Sequence, residues 1–314
     1  MSEEKPKKPQ LHSSHLSTLY KCGYKFQRTV LLGEKEPPTT PLVIGTASHS
    51  VVALNLNNKI DKGTLLTKEA VQDFARDTFL KEWQSSPITF NEEEIEQGLN
   101  KTRDRAQDET IAVAIEHHYQ IAPKLHPSKV EEPWVLIADG FPFDLAGTID
   151  VKEKYDFDFS RGVFLPKEII TFRDVKTRKR DMGQREVDAS EQYTIYFMAM
   201  TYTDGVMPDY VFQDTLIKPT KTMPARAITY KTTRTQDDID VFHRRFEQAC
   251  KIIAKEAFTP ANPNDWWCSK DHCGFAAAGT CPYFNSKRGT IIRVPEPIKK
   301  PDTVTDLKNL LKDN

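Results

Sequence analysis

The first part of the chain has the spacing of apolar residues that is typical of helices. Apolar positions recur three and four residues apart over Thr67–Ser85 and Asn91–Ile121, which predicts two amphipathic helices. The stretch PLVIGTASHSVVALNLNN predicts another helix before them. Ser13 or Ser14 is expected to cap a first helix that runs toward Cys22.

From Val130 onward the pattern changes to strands. EEPWVLIADGFPFDLAGTIDVKEK contains two β-rich runs separated by Asp139-Gly140, a pair that is typical of hairpins. Three more strands are predicted in GVFLPKEIITFRDVKT, DYVFQDTLIK and ARAITYKTTR. Helices are predicted in DASEQYTIYFMAMTYTDG and TQDDIDVFHRRFEQACKIIAKEAF, the second opened by a Thr cap. This order favours an α/β or α+β core with a helical insertion at about residues 64–125.

Composition narrows the class of protein. The chain has 314 residues, 38% apolar and 28% charged, which suits a soluble globular protein. Its net charge is −1, so a site for a polyanion must come from local clustering of bases. No apolar run is long enough to span a bilayer. MSEEKPKKPQ lacks the apolar core of a secretory signal, and we therefore expect a cytoplasmic protein.

The stretch FRDVKTRKR carries the first candidate chemistry. Asp174 and Lys176 are two residues apart on a predicted strand, so their side chains point to the same face. Asp150 is expected at the end of the preceding strand and Asp174 at the end of its own, where the two carboxylates converge. Carboxylates suit Mg²⁺ or Mn²⁺, and Lys176 would orient an attacking water beside such an ion. The alternative is a solvated ion pair at a strand end.

Four other residues could belong to the same site. His49 lies four residues after Gly45 on a predicted helix, where Gly45 permits another backbone to approach and His49 can bind a metal or be structural. Gln192 and Tyr196 share a helix face and can hydrogen-bond phosphates or bases, or be ordinary surface and core residues. Glu131 could reach the site through a water.

Four motifs follow one another along the chain: G-x-x-x-H (Gly45, His49), the strand Asp150, D-x-K (Asp174, Lys176) and Q-x-x-x-Y (Gln192, Tyr196). In this order they resemble the motifs of the PD-(D/E)XK nucleases, in the RecB-like branch that includes the CRISPR-adaptation exonucleases and their phage relatives. The resemblance covers roughly residues 13–285. Two features depart from the family pattern: no proline precedes Asp150, and a charged insertion of unassigned role spans Lys154–Gly162.

The resemblance implies a fold and roles for these residues. The fold is a restriction-endonuclease-like mixed sheet flanked by helices. Lys176 would assist the attacking water, while Gln192 and Tyr196 would support Lys176 and the DNA. The divalent ion would be bound by His49, Asp150, Asp174 and the carbonyl of Val175.

Four of the five cysteines form a second candidate site. In a reducing compartment they suggest metal binding, catalysis or burial rather than disulfides. Cysteines at both ends are also found in iron–sulfur members of the branch, which implies a [4Fe–4S] cluster that staples the first helix to segment 266–284. Zinc, with His272 able to replace a thiolate, and four unrelated buried thiols are the alternatives. Cys250 is expected in the core. The proposed ligands are Cys22, Cys268, Cys273 and Cys281.

Basic and aromatic side chains near the motifs suggest contacts with nucleic acid, or else a solvated charge run and a core-facing helix side. The bases next to the D-x-K motif, expected on phosphates, are Arg178, Lys179 and Arg180. Bases on the later strands are Lys218, Lys221, Arg226, Lys231 and Arg234. The aromatic residues that could stack on bases, or else face the core, are Tyr193, Tyr196, Phe197 and Tyr202.

These features predict a nuclease domain over residues 13–290 between flexible tails at 1–12 and 291–314. The last tail carries Leu307, Leu310 and Leu311 at helical spacing, which would suit a partner-binding helix. The resemblance implies a metal-dependent DNA exonuclease acting on single-stranded ends in recombination, repair or DNA-end processing. The alternatives are a non-catalytic DNA-binding or assembly protein that keeps the fold, and a zinc-stapled protein with another partner.

Overall fold

The computed structural model describes residues 8–158 and 163–284. Six strands form one mixed sheet, which confirms the predicted class of fold. The strands are β1 (Gln10–Leu11), β2 (Pro127–Leu136), β3 (Asp144–Asp158), β4 (Val163–Arg178), β5 (Tyr210–Ile217) and β6 (Arg226–Thr232).

The sheet is mixed because only one of its long neighbouring pairs is parallel. β2, β3 and β4 are successively antiparallel, β4 and β5 are parallel, and β5 and β6 are antiparallel. The short β1 runs parallel to the start of β3. A parallel pair needs a crossover, and the helices between residues 184 and 204 supply it.

Ten α-helices surround this sheet in the described residues. A π-helical turn (Gln27–Leu31) follows the second helix, and a 3-10 turn (Ala122–Lys124) follows the sixth. The helices are α1 (Ser13–Lys21), α2 (Gly23–Phe26), α3 (Thr40–Lys62), α4 (Lys68–Ser85), α5 (Glu92–Gln97), α6 (Leu99–Gln120), α7 (Gln184–Asp188), α8 (Glu191–Asp204), α9 (Gln236–Ala254) and α10 (Gly274–Ala277).

The apolar side chains divide between the two faces of the sheet. On one face, Phe172 of β4 packs with residues of α1, α8 and α9, including Leu16, Phe197 and Phe246. On the other face, Val175 packs with residues of α3 and α6. The helices that carry His49 and Gln192 therefore lie on opposite faces of the strands that carry the two acids.

Several predicted boundaries are wrong in detail. The helix expected over Asn91–Ile121 is two helices, because Gly98 interrupts it with a φ of 87°. The first helix is capped by His12 rather than by Ser13 or Ser14. The predicted N-terminal tail is too long, because Leu11 is buried and pairs with β3.

The two acids do not end their strands. Asp150 lies in the middle of β3, and β4 continues for four residues beyond Asp174. The described part of the charged insertion, from Lys154 to Asp158, continues β3 and pairs with β4. The tail at residues 291–314, with its three leucines, lies outside the described residues. No helix in the described ranges is long and apolar enough to cross a membrane.

Candidate metal-dependent active site

Asp150 and Asp174 come together because β3 and β4 are neighbours in the sheet. Val151 pairs with Arg173 across these strands. Oδ2 of Asp150 accepts a hydrogen bond from the backbone N–H of Val175 at 2.8 Å. Burial raises the pKa of Asp150 well above its usual range, and the negative charge of Asp174 raises it further. A cation at this position would therefore be strongly attracted.

Asp174 is held by three side-chain donors. Lys176 Nζ lies 2.9 Å from its Oδ1, and Gln192 Nε2 lies 3.0 Å from the same oxygen. The hydroxyl of Tyr193 donates to Oδ2 at 2.8 Å. Asp174 is 1% exposed, so the alternative of a solvated ion pair is wrong.

His49, Glu131 and Asp150 form a group suited to a metal ion. Each offers one ligand atom, and these atoms lie within 4.8 Å of one another. His49 Nδ1 is 3.5 Å from Asp150 Oδ2. Burial lowers the pKa of His49, although the charge of Asp174 acts in the opposite direction. The lowered pKa favours the neutral imidazole, which is the form that binds metals. From the sequence, Glu131 was expected to reach the site through a water, whereas its carboxylate lies within 4.8 Å of the ligand atoms of His49 and Asp150.

The Gln192 and Tyr196 pair acts on Asp174 rather than on Lys176 directly. Gln192 Nε2 lies 2.9 Å from the Tyr196 hydroxyl as well as 3.0 Å from Asp174. Ser13 on α1 lies in the same groove, close enough to the tyrosine hydroxyl to lower the pKa of Tyr196 against the effect of burial. Hydrogen bonds thus connect Tyr196 through Gln192 to the buried acid.

Tyr193 is a site residue whose role sequence reasoning missed. Its hydroxyl lies 2.5 Å from Gln213 Oε1, and Gln213 Nε2 lies 2.8 Å from Thr215 Oγ1. One hydroxyl proton cannot be donated to both Asp174 and Gln213, so we assign the flipped amide, in which Gln213 donates to Tyr193. The signal in the sequence was the polar run Gln213, Asp214 and Thr215 between the apolar ends of the strand VFQDTLI.

Several other expectations about these elements are wrong. The aromatic residues Tyr193, Tyr196 and Phe197 are buried, which confirms the core-facing alternative for them and excludes base stacking as they stand, whereas Tyr202 is exposed. Gly45 is not needed for close approach, because a Cβ built there would meet no heavy atom within 4 Å.

The predicted phosphate-binding bases differ in their surroundings. Lys179 and Arg180 are exposed at the end of β4, whereas Arg178 pairs with Glu186 at 2.7 Å. Of the later bases, Arg234 is buried with hydrogen bonds to Thr194 and to backbone carbonyls, which makes it structural. The remaining four are Lys218, which pairs with Glu109, Lys231, which lies over the Tyr210 ring, and the exposed Lys221 and Arg226.

The four predicted ligand cysteines line one cavity of about 240 Å³. Cys22 Sγ accepts backbone N–H groups of Lys25 and Ala261, both at 3.4 Å. Trp267 lines the same cavity, and its buried indole N–H has no partner among the described residues. The cysteines are Cys22, Cys268, Cys273 and Cys281.

The backbone around this cavity is packed too closely for side chains. A Cβ on Gly23 would lie 2.7 Å from Thr259 N, and one on Gly274 would lie 2.6 Å from Pro37 O. Cys250 of α9, in contrast, packs in the hydrophobic core, as expected. The cavity therefore has the donors, the size and the tight frame that fit a group held by thiolates.

One comparison with known proteins, the match to a family profile, places the chain in a family. The solved structure described as "Crystal structure of SSO0001" is 12% identical to this chain, with a TM-score of 0.32, and the match covers 79% of this chain and 87% of that one. No curated protein matches the sequence significantly. The profile of the PD-(D/E)XK nuclease superfamily matches residues 11–282, which is most of the chain. The protein therefore belongs to the PD-(D/E)XK nuclease superfamily.

Proposed function

We propose that this nuclease is a divalent-metal-dependent DNA exonuclease that acts on single-stranded ends, in recombination, repair or DNA-end processing. The observation that carries the proposal is the contact between Lys176 and the buried Asp174, beside the group formed by His49, Glu131 and Asp150. Members of this superfamily hydrolyse phosphodiesters with divalent metals. The donors present here, one imidazole and several carboxylates, suit Mg²⁺ or Mn²⁺.

Each residue has a role in this proposal. A bound divalent ion would stabilise negative charge on the phosphate and acidify a water. The ion would be held by Asp150, Asp174, His49, Glu131 and the carbonyl of Val175. The ammonium of Lys176 would orient the attacking water and offset charge that develops in the transition state.

Gln192, Tyr193 and Tyr196 would act on the carboxylate of Asp174. Their hydrogen bonds hold it in one orientation, directly or through Gln192. Lys179 and Arg180, exposed just after the end of β4, would contact phosphates, and Arg178 would join them by leaving Glu186.

Digestion of end-labelled DNA tests this function. Single-stranded, double-stranded and closed circular single-stranded DNA would be incubated with Mg²⁺ or Mn²⁺ and with EDTA. We expect loss of the linear single strand only when metal is present, and no loss with Lys176→Ala or Asp174→Ala. Cleavage of the circle would contradict an exonuclease. Binding without cleavage would favour the non-catalytic DNA-binding or assembly protein.

We also propose a [4Fe–4S] cluster held by the four cysteines of the cavity, which would staple α1 and α2 to segment 266–284. The support is the single cavity that they share and the orphaned indole N–H of Trp267, which a cluster sulfide would satisfy. Such a cluster suits the reducing cytoplasm, where we place the protein. A partner-binding role for the C-terminal tail stays a prediction.

Metal analysis of the purified protein tests the cluster. Anaerobic preparations should contain iron and acid-labile sulfide, and Cys22→Ser should lower both. Cys250→Ser is the matched control and should keep the wild-type content, because Cys250 lies in the core away from the cavity. Zinc without iron would support the zinc-stapled alternative.

A further inference from the structure

A groove of about 820 Å³ leads from the active site along α1. Lys176, Gln192 and Tyr196 line one end. Ser17 and Lys21 also line it, and they lie with Ser13 at intervals of four residues, on one face of the helix. Ser13 contacts Tyr196, while Lys21 also lines the cavity of the cysteines. This row of three residues on α1 therefore runs from the catalytic residues toward the cysteine cavity.

The charges of this groove leave one lysine without an acidic partner. Its two carboxylates, Glu186 and Glu191, are paired with Arg178 and Arg245. Lys176 is paired with Asp174. Lys21 is exposed and makes no ion pair with any described residue. The exposed hydroxyl of Ser17 lies one turn before it on the helix.

The spacing of these two donors suits a nucleic acid backbone. Four residues of helix rise about 6 Å, which is comparable to the repeat of phosphates along an extended single strand. Ser13 is half-buried beside Tyr196, so the exposed donors left for phosphate are the Ser17 hydroxyl and the Lys21 ammonium. A hydroxyl and an ammonium are common phosphate contacts.

We propose that Ser17 and Lys21 bind two successive phosphates of single-stranded DNA on the side of the active site that leads to the cysteine cavity. This deepens the proposed function, on which it rests, by naming where the strand lies. The contacts are with phosphates alone and would be independent of sequence. Their effect would be on affinity for DNA rather than on the chemical step.

Fluorescence anisotropy with a labelled single-stranded oligonucleotide in EDTA tests the proposal without cleavage. Lys21→Ala should weaken binding about 3- to 10-fold and reduce the slope of log affinity against log salt by about 0.7. Ser17→Ala should weaken binding about 2- to 5-fold without changing the slope. Lys21→Arg should keep the slope. Lys81→Ala, at an exposed lysine of α4, is the matched control and should behave as wild type.

A small substrate separates this proposal from the catalytic one. The p-nitrophenyl ester of thymidine 5′-monophosphate has one phosphodiester, so Lys21→Ala should hydrolyse it at the wild-type rate with Mn²⁺. A second outcome is that wild type hydrolyses neither ester nor DNA while Lys21→Ala still lowers the affinity for DNA. That result would contradict the proposed catalytic function and support the binding of DNA by Ser17 and Lys21. The binding of DNA by Ser17 and Lys21 would be overturned if Lys21→Ala and Ser17→Ala bound DNA as tightly as wild type, or if wild type did not bind it.

Discussion

The carboxylate of Asp150 on β3 accepts a hydrogen bond from the backbone N–H of Val175 on β4, at 2.8 Å. This contact ties one acid to the residue that separates Asp174 from Lys176. The two carboxylates are thus held close together in a largely buried place. Burial and their mutual repulsion cost electrostatic free energy, which appears as the raised pKa of Asp150. A divalent cation would remove that cost, so the site is organised for a metal before the metal binds.

Glu131→Gln tests whether this residue is a metal ligand. Glu131 has a φ of 52°, a conformation that costs about 1–3 kcal/mol in a residue other than glycine. We expect the variant to bind Mn²⁺ about 10-fold more weakly in a titration followed by electron paramagnetic resonance. Glu132→Gln is the matched control, because Glu132 pairs instead with Lys129 and Lys152. Equal Mn²⁺ affinity in wild type and Glu131→Gln would remove Glu131 from the site.

Tyr193→Phe tests the support of Asp174 by its neighbours. The variant removes one of three donors to a buried carboxylate, so we expect kcat on DNA to fall about 10-fold with KM nearly unchanged, and the pH profile of kcat to shift. The free energy of unfolding should fall by about 1–3 kcal/mol. Tyr230→Phe, whose hydroxyl instead contacts Asp181 at the surface, should keep the wild-type kcat and pH profile. An unchanged profile for Tyr193→Phe would make its role purely structural.

Two glycines, one on β3 and one on α3, should respond oppositely to alanine. A Cβ on Gly147 would lie 2.6 Å from Cζ2 of Trp134, so Gly147→Ala should destabilise the protein by about 1–3 kcal/mol. A Cβ on Gly45, in the second turn of α3, meets nothing within 4 Å, so Gly45→Ala should stabilise by about 0.5–1 kcal/mol. Urea denaturation measures both. A loss of stability in Gly45→Ala would contradict the described packing of α3.

His117 should make the protein sensitive to acid. Burial, helped by the charge of Arg173, lowers its pKa from 6.5 to about 3. Below pH 6.5 the histidine binds a proton in the unfolded chain but not in the folded one. The free energy of unfolding therefore falls by about 1.4 kcal/mol per pH unit as the pH falls toward 3. Denaturation of His117→Leu across this range should show a shallower loss. His243→Gln, at an exposed histidine of α9, should keep the wild-type slope, and a wild-type slope in His117→Leu would refute the assignment.

The elements and the site differ in how far the sequence predicts them. Apolar periodicity found the long helices, but it did not find the break at Gly98, because the apolar spacing continues across it. The alternation of side chains put Asp174 and Lys176 on one face, yet alternation does not mark where a strand ends. Both strands therefore continue past the predicted ends at Asp150 and Asp174.

The missed parts of the site depend on strand register, which is a long-range property. Glu131 reaches Asp150 because Val130 pairs with Val151 across β2 and β3. Gln213 reaches the network of Asp174 because the two residues are partners across β4 and β5. No local pattern contains either pairing, so sequence analysis left Glu131 one water away and did not consider Gln213.

In the proposed function, a metal ion held at this site and Lys176 would together catalyse phosphodiester hydrolysis. The most direct measurement compares wild type and Lys176→Ala in Mn²⁺-dependent hydrolysis of the p-nitrophenyl ester of thymidine 5′-monophosphate, with Mn²⁺ binding measured on the same samples. We expect Lys176→Ala to bind Mn²⁺ and to lose about 10²- to 10⁴-fold in kcat. Hydrolysis at the wild-type rate by Lys176→Ala, or an inert wild type that binds Mn²⁺, would contradict the account.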